Sequence, residues 1–192
     1  SVAMGRAVAQ TVASRLGKSL LELGGNNAII LTEHADLELA LRGILFSAVG
    51  TAGQRCTTAR RLYVHRSILP EVKRRLIGLY ESLPDKVGSP LAAGTLVGPL
   101  IDEAAGQAMD QRLAQAQQEG AKLLVGGQPL QPAGTEAGVY RAPALLEAPA
   151  DLPSIQEETF APILYMVAYD ELDEALAYQN GVPQGLSSSI FS

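Results

Sequence analysis

Residues 28–65, AIILTEHADLELALRGILFSAVGTAGQRCTTARRLYVH, decide the fold of this chain of 192 residues. They begin with an apolar run, Ala28–Leu31, continue through a segment with apolar residues at helical spacing, Leu37–Val49, and end on an alternating run, Arg61–His65. Asp36 stands where it can cap the helix. A strand, a long helix and a second strand predict parallel pairing, with the helix packed on the sheet.

The same alternation extends in both directions. Met4–Leu16 is predicted to be an amphipathic helix stopped by Gly17, and Ser19–Leu23 a strand. The remaining predicted helices are Glu71–Leu83, Glu103–Glu119 and Leu172–Gln179, the last capped by Asp170, and the remaining strands are Ala121–Val125, Ala144–Glu147, Ile163–Tyr169 and Gly185–Phe191. The predicted fold class is α/β, a mostly parallel sheet with flanking helices.

Composition excludes several functional classes. Hydrophobic residues make up 47% of the chain, and 15 basic against 20 acidic residues give a net charge of -5, with no basic stripe for nucleic acid. Apolar runs are much shorter than the roughly 20 residues of a membrane span. One cysteine, no Asn-x-Ser/Thr sequon and no signal peptide favour a cytoplasmic protein. His34 and His65 are too far apart and too poor in partners for a metal site or a catalytic triad.

The two ends of the chain are expected to be cuts in a longer protein. The first predicted helix begins almost at Ser1, which is not an initiator methionine. The last predicted strand runs nearly to Ser192 with no element after it.

Cys56 is the first candidate for chemistry. It follows a loop of small residues that contains Gly50 and Gly53, so the chain can turn sharply and present the thiol together with its own backbone N–H. Arg55 and the pair Arg60-Arg61 would favour a thiolate over a thiol. The alternative is a buried structural cysteine, which is the commoner role of a free cysteine.

Two acidic segments are further candidates. Glu22 ends an apolar strand just before two glycines, where ligands bind in α/β sheets, and its apolar neighbours would desolvate it and make it a better general base. The alternative is a solvent-exposed glutamate at a strand edge. The stretch Glu157–Pro162 pairs two carboxylates with an aromatic residue and a proline, and its alternative is a plain loop before a strand.

Together these motifs resemble the aldehyde dehydrogenase family over essentially the whole chain. Glu22-Leu23-Gly24-Gly25 is similar to the family's glutamate signature and Gly53-Gln54-Arg55-Cys56 to its cysteine signature, and their separation of 34 residues (56 minus 22) is the family's usual spacing. Glu157–Pro162 resembles the Glu-Glu-x-Phe-Gly-Pro motif, with Ala161 in place of glycine. Ser1 and Gly5 resemble the serine and the later glycine of the Gly-Ser-x-x-x-Gly turn that holds the cofactor pyrophosphate, which explains why no Gly-x-Gly-x-x-Gly fingerprint occurs.

A finer resemblance points to the branch of the family that acts on α-aminoadipic semialdehyde. It is carried by residues 21–28, residues 53–61 and the closing residues 184–191. Most other branches have lysine where Asn26 stands.

The resemblance implies roles for particular residues. Cys56 would be the nucleophile and Glu22 the general base, and Arg55 would contact the substrate carboxylate. The implied cofactor is NAD, with NADP not excluded, and the implied cofactor-binding residues are Ser1, Gly5, Leu23, Gly24, Glu158 and Phe160. No metal is implied.

The resemblance also implies how the chain is divided. Residues 1–24 would end the cofactor-binding domain, and residues 25–192 would form the catalytic domain, truncated at both chain ends. The longer enzyme from which the chain would come would be a homo-oligomer. The missing parts, including an asparagine of the oxyanion hole, predict that this chain alone is inactive. A non-catalytic module and a cofactor-free cysteine hydrolase, which would need a histidine near Cys56, remain as alternatives.

Overall fold

A computed structural model describes all residues from 1 to 192. The helices are α1 (Val2–Ser14), α2 (Leu37–Val49), α3 (Leu69–Glu81), α4 (Glu103–Gln118) and α5 (Leu172–Asn180). The strands are β1 (Asn27–Leu31), β2 (Ala59–His65), β3 (Lys122–Val125), β4 (Pro129–Leu130), β5 (Tyr140–Arg141), β6 (Ala144–Glu147), β7 (Ile163–Tyr169) and β8 (Ser188–Phe191). Short 3-10 turns occupy Gly50–Gly53, Pro84–Lys86 and Pro153–Gln156.

Six of the strands form one sheet in the order β3-β6-β7-β2-β1-β8, and β4 pairs with β5 separately. Only the β3–β6 pair of the large sheet is antiparallel. The connection from β1 to β2 and the connection from β7 to β8 run in opposite directions across the sheet. Because such crossovers are right-handed, α2 and α5 lie on opposite faces. The predicted α/β class with a mostly parallel sheet is confirmed.

The hydrophobic core lies between this sheet and its helices. β1 is buried along its whole length, and β2 and β7 are buried at all but one position each. From α2, Leu41, Ile44 and Ala48 are buried, and from α3, Val72 and Leu76. Three buried strands side by side form a rigid platform, and the loops that lead into those strands are fixed by it.

Two local predictions are wrong. Ser19–Leu23 is not a strand, and its first four residues are exposed, because a strand needs a partner and no other strand lies beside this segment. Asp170 does not cap α5; the cap position is Glu171, and Asp170 forms an ion pair with Arg66 at 2.6 Å.

The first helix stands apart from the core. Only Gly5 of α1 is buried, and the continuous core cluster begins at Ala28. None of the helices has both the length and the apolarity needed to cross a bilayer.

Candidate active site

The candidate site lies at the amino ends of the central parallel strands, where the segments that lead into β1, β2 and β7 meet. A pocket of about 780 Å³ opens there. Its lining is Ser1, Glu22, Leu23, Gly24, Gln54, Arg55, Cys56, Thr57, Glu158 and Phe160. Eight of the nine predicted site residues therefore share one pocket. The expectation of a site at carboxyl ends of strands is wrong, because the strand that was to end at Glu22 does not form and Glu22 instead precedes β1.

Cys56 lies in a tight turn directly before β2. The turn is closed by the N–H of Thr58, which donates to the Arg55 carbonyl at 3.1 Å, and by the N–H of Arg55, which donates to the Thr58 hydroxyl at 3.2 Å. The side chain of Cys56 is half-buried, and its backbone N–H donates to no protein acceptor. Both the thiol and its N–H are thus available to a molecule in the pocket.

The loop before Cys56 has an unusual backbone. Thr51, Ala52 and Gly53 all have positive φ, at 55°, 52° and 69°. A Cβ on Gly53 would lie 2.4 Å from the carbonyl carbon and oxygen of Ala161. Only glycine therefore permits this approach between the cysteine loop and the loop that precedes β7.

Glu22 is brought to the pocket by the close approach of Gly25 to the cysteine turn. A Cβ on Gly25 would lie 2.5 Å from the carbonyl oxygen of Cys56, so the two segments touch backbone to backbone. The carboxylate of Glu22 itself is exposed. The predicted desolvation of Glu22 by Leu21 and Leu23 is wrong, because Leu21 is also exposed and Leu23 packs against Gly5.

Asn27, buried at the start of β1, fixes the cysteine turn from beneath. Its Nδ2 donates to the carbonyls of Cys56 at 2.8 Å and Thr58 at 2.7 Å, and its Oδ1 accepts from the N–H of Ser187 at 2.8 Å. One amide thereby joins the cysteine turn to the segment before β8.

Arg60 connects all three site segments. Its guanidinium donates to the carbonyls of Gly25 (3.3 Å), Gly53 (3.2 Å), Arg55 (3.2 Å) and Thr159 (2.6 Å), and to Glu158 Oε1 at 3.1 Å. Burial lowers the pKa of Arg60, and the attraction of Glu158 opposes that shift. Arginine nonetheless stays charged in proteins, so the site contains one fixed, buried positive charge.

The two carboxylates that precede β7, Glu157 and Glu158, have different partners. Glu157 points outward to Arg112 of α4, at 2.6 Å. Glu158 points inward, where its Oε1 accepts from Arg60 and from the N–H of Gly25 at 3.1 Å. Its Oε2 has no partner, and a Cβ on Gly24 would lie 1.8 Å from that oxygen. Glycine at position 24 thus leaves room for this free oxygen, and both residues line the pocket.

The other two arginines differ from each other. Arg55 lines the pocket, with its guanidinium 5.0 Å from the ring centre of Phe46. Arg61 does not reach the site: it donates to the carbonyls of Asn26 and Tyr178 and to the Tyr63 hydroxyl. The predicted help from Arg61 toward a Cys56 thiolate is wrong, because successive side chains of a strand point to opposite faces.

The amino end of α1 borders the pocket on the side of Leu23. Ser1 Oγ accepts the N–H of Met4 at 3.3 Å, and the first turn carries no acidic residue. Gly5 does not line the pocket. It lets Leu23 pack on the helix, since a Cβ on Gly5 would lie 2.6 Å from a Leu23 methyl group. A helix start with free N–H groups and no carboxylate is suited to an anion.

The two histidines are remote from Cys56. His34 follows β1 and His65 ends β2, so both lie at the carboxyl edge of the sheet, opposite the pocket. His65 Nδ1 hydrogen-bonds with the Ser67 hydroxyl at 2.7 Å. No group of three or more histidine, cysteine, aspartate or glutamate side chains is placed to hold a metal ion.

Comparison of the sequence with known protein families shows to which family the chain belongs. The match is to the "Aldehyde dehydrogenase family", over residues 1–192. The chain belongs to the aldehyde dehydrogenase family.

Curated relatives within the family agree with the branch predicted from the sequence. Aldehyde dehydrogenase family 7 member A1 of Pisum sativum is 48% identical over 189 residues, which cover 98% of this chain and 36% of the pea protein. Alpha-aminoadipic semialdehyde dehydrogenase of Mus musculus is 45% identical, over 100% of this chain and 35% of the mouse protein. The chain spans about a third of the length of these relatives.

Solved structures of aldehyde dehydrogenases share the fold. Lactaldehyde dehydrogenase of Escherichia coli has a TM-score of 0.93 at 36% identity, covering 100% of this chain and 39% of that chain. Betaine aldehyde dehydrogenase of Staphylococcus aureus, in complex with NAD+, has a TM-score of 0.95 at 27% identity, covering 100% of this chain and 38% of that chain.

The family motifs did not reveal the residues that organise the site from within the sheet. Asn27 was not singled out, and Arg60 was considered only for its charge near Cys56, although each is a polar residue in a buried strand. Such a residue needs hydrogen-bond partners, which was the signal in the sequence. Gln54 and Thr57 also line the pocket; Gln54 joins the cysteine loop to the residue 88–101 connection by accepting the N–H of Ile101 at 2.8 Å.

Proposed function

We propose that the enzyme to which this segment belongs, called the parent enzyme below, oxidises an aldehyde to a carboxylic acid with NAD or NADP. The observation that carries the proposal is the convergence of Cys56, Glu22 and Glu158 on one pocket from three separate segments. The substrate we propose is α-aminoadipic semialdehyde, because the relatives at 44–48% identity include proteins of that name and of family 7. We further propose that the parent enzyme is cytoplasmic, as the single cysteine favours, and, by resemblance, a homo-oligomer.

The pocket fits a nicotinamide cofactor. Glu158 offers a partnerless oxygen that can accept from a ribose hydroxyl, Phe160 offers an exposed ring, and the helix start at Ser1 suits a pyrophosphate. Leu23 and Gly24 would form the floor between them. A bound nicotinamide would supply an acceptor for the hydride that the substrate loses.

The first chemical step belongs to Cys56. Its thiolate attacks the aldehyde carbon, a C–S bond forms, and the carbonyl electrons move onto oxygen. The N–H of Cys56, which donates to no protein acceptor, would donate to that oxyanion. Loss of hydride from the same carbon restores the carbonyl and leaves a thioester on Cys56.

The second step belongs to Glu22. Its exposed carboxylate takes a proton from water, the hydroxide adds to the thioester carbon, and the C–S bond breaks. The acid leaves and the thiolate is restored. Water access is required here, so the exposure of Glu22 suits the role.

Arg55 is proposed to hold the remote carboxylate of the substrate. Its guanidinium lies at the pocket wall, and its Nε is buried without a hydrogen-bond partner. A planar guanidinium matches a carboxylate at two points, which lysine does not.

The test is NADH formation by the parent enzyme with α-aminoadipic semialdehyde. Cys56→Ala should lower kcat at least about a thousandfold. Glu22→Gln should release about one NADH per site in a burst and then turn over about a hundredfold more slowly or worse. Glu136→Gln, at an exposed glutamate that does not line the pocket, serves as the control. Steady turnover by Cys56→Ala would overturn the proposal.

Residues 1–192 alone are proposed to be inactive, because by resemblance half of the oxyanion hole lies on a segment outside them. Purified residues 1–192 should form no NADH with the same substrate. Turnover near that of the parent enzyme would refute this part of the proposal. Cofactor-free thiol catalysis is disfavoured, since both histidines lie at the opposite edge of the sheet.

A further inference from the structure

The central sheet contains a buried arginine, Arg60, whose charge must be compensated by its surroundings. Arg60 is 2% exposed and lies in β2, where Ala59, Leu62 and Val64 are apolar and buried. Burying a charge is costly unless hydrogen bonds and a counter-charge compensate it. Here six donor–acceptor contacts do so, one of them to the Ala161 carbonyl at 3.5 Å, and they reach three different chain segments.

We infer that Arg60 is a positioning residue that fixes the cofactor-facing carboxylate of Glu158 relative to the nucleophile turn of Cys56. The inference rests on the proposed function, and it gives Arg60 a role that the resemblance does not imply. Arg60 touches neither Cys56 Sγ nor the open side of the pocket. It acts through the residues that do.

On the cofactor side, Arg60 holds one oxygen of Glu158 and leaves the other free. Oε1 accepts from Arg60 Nη2 and from the N–H of Gly25, both at 3.1 Å, whereas Oε2 has no partner. Arg60 also donates to the Thr159 carbonyl and lies 5.4 Å from the ring centre of Phe160. Residues 158–160 are therefore held as one unit, and Oε2 is left without a protein partner on a residue that lines the pocket.

On the nucleophile side, the same Nη2 donates to the carbonyl of Arg55, the residue before Cys56. Nη1 donates to the carbonyl of Gly53, and Nε donates to the carbonyl of Gly25, which lies three residues after Glu22. A planar guanidinium can serve all these acceptors from one position, but the three donors of lysine radiate from a single nitrogen. Lysine at position 60 would keep the positive charge, but its single nitrogen could not reach all of these acceptors.

The test uses the parent enzyme with two conservative changes, Arg60→Lys and Arg61→Lys. Arg61 is equally buried and adjacent in the chain, but its bonds are to Asn26, Tyr63 and the end of α5. The NAD dissociation constant, measured by calorimetry without substrate, should rise about tenfold in Arg60→Lys. It should stay within about twofold of wild type in Arg61→Lys, even where both variants lose thermal stability.

A double-mutant cycle with Glu158→Ala decides whether the effect passes through Glu158. In the Glu158→Ala background, Arg60→Lys should weaken NAD binding by less than about twofold, because the carboxylate it positions is gone. Full additivity of the two changes would overturn the inference. So would an NAD dissociation constant in Arg60→Lys equal to that in Arg61→Lys.

Amide hydrogen exchange provides a readout independent of the cofactor. Arg60→Lys should speed exchange in both the peptide covering residues 53–58 and the peptide covering residues 157–161, and Arg61→Lys should speed neither. If wild type bound no nicotinamide nucleotide, the proposed function would fail. Hydrogen exchange would still test whether Arg60 fixes residues 158–160 relative to the Cys56 turn. Unchanged exchange of both peptides in Arg60→Lys would refute it.

Discussion

At the residue scale, the site depends on positions that have no room for any side chain. Gly53 has φ of 69° and faces the backbone of Ala161, so its conformation and its neighbour both exclude a side chain. The glycine in the cysteine signature predicted a sharp turn here. The positive φ of Thr51 and Ala52 could not be predicted, because non-glycine residues adopt this region only when the surrounding structure imposes it.

Gly53→Ala should lower the free energy of unfolding by about 2–5 kcal/mol, the sum of a left-handed backbone cost and a steric clash. Gly94→Ala is the matched control, because Gly94 has φ of 86° but open space around its Cβ position. The control should lose only about 1–2 kcal/mol. Urea unfolding of the three proteins measures both, and equal losses would contradict the close approach to Ala161.

At the element scale, helices and buried strands were predictable because their signals are local. Leu37–Val49 was predicted and found with the same bounds, and β7 likewise. Ser19–Leu23 was not, because a strand depends on a partner elsewhere in the chain. The start of α5 at Leu172 was predicted, but its cap was missed by one residue: Asp170 is a normal capping residue, but its carboxylate binds Arg66, and the cap is Glu171.

The cap of α5 predicts a pH-dependent contribution to stability. The Glu174 carboxylate accepts the N–H groups of Asp170 and Glu171, and these bonds lower its pKa in the folded chain. Its stabilisation is therefore fully present above the unfolded pKa of about 4.3 and is lost as pH falls through the folded value.

Glu174→Gln should accordingly lower stability near neutral pH, with the difference from wild type shrinking as pH falls below about 4. Asp173→Asn, a carboxylate in the same turn without a hydrogen bond, is the control and should show a smaller change. Thermal unfolding followed by circular dichroism over this pH range tests the effect. A difference that grows toward acid pH would have the wrong sign.

At the scale of the whole molecule, the motifs predicted which residues share a site but not where the site lies. Their meeting at the amino edge of the sheet depends on the strand order β7-β2-β1, which no local pattern specifies. Asn27 and the bridging hydrogen bonds of Arg60 were missed for the same reason, since their partners are on other segments. The predicted boundary after residue 24 remains a prediction.

Deletion of residues 1–18 tests that boundary. The core begins at Ala28 and only Gly5 of α1 is buried, so the shortened chain should unfold cooperatively with a midpoint within about 4 °C of residues 1–192. Loss of the cooperative transition would show that α1 belongs to the same folding unit.

The central claim is that Cys56 carries the substrate as a thioester that Glu22 then releases. The most direct measurement is peptide mass spectrometry of the Glu22→Gln parent enzyme, quenched in acid after mixing with NAD and α-aminoadipic semialdehyde. We predict an α-aminoadipoyl group on the peptide that contains Cys56, in amount equal to the NADH released. NADH release without any acyl group on Cys56 would contradict the account.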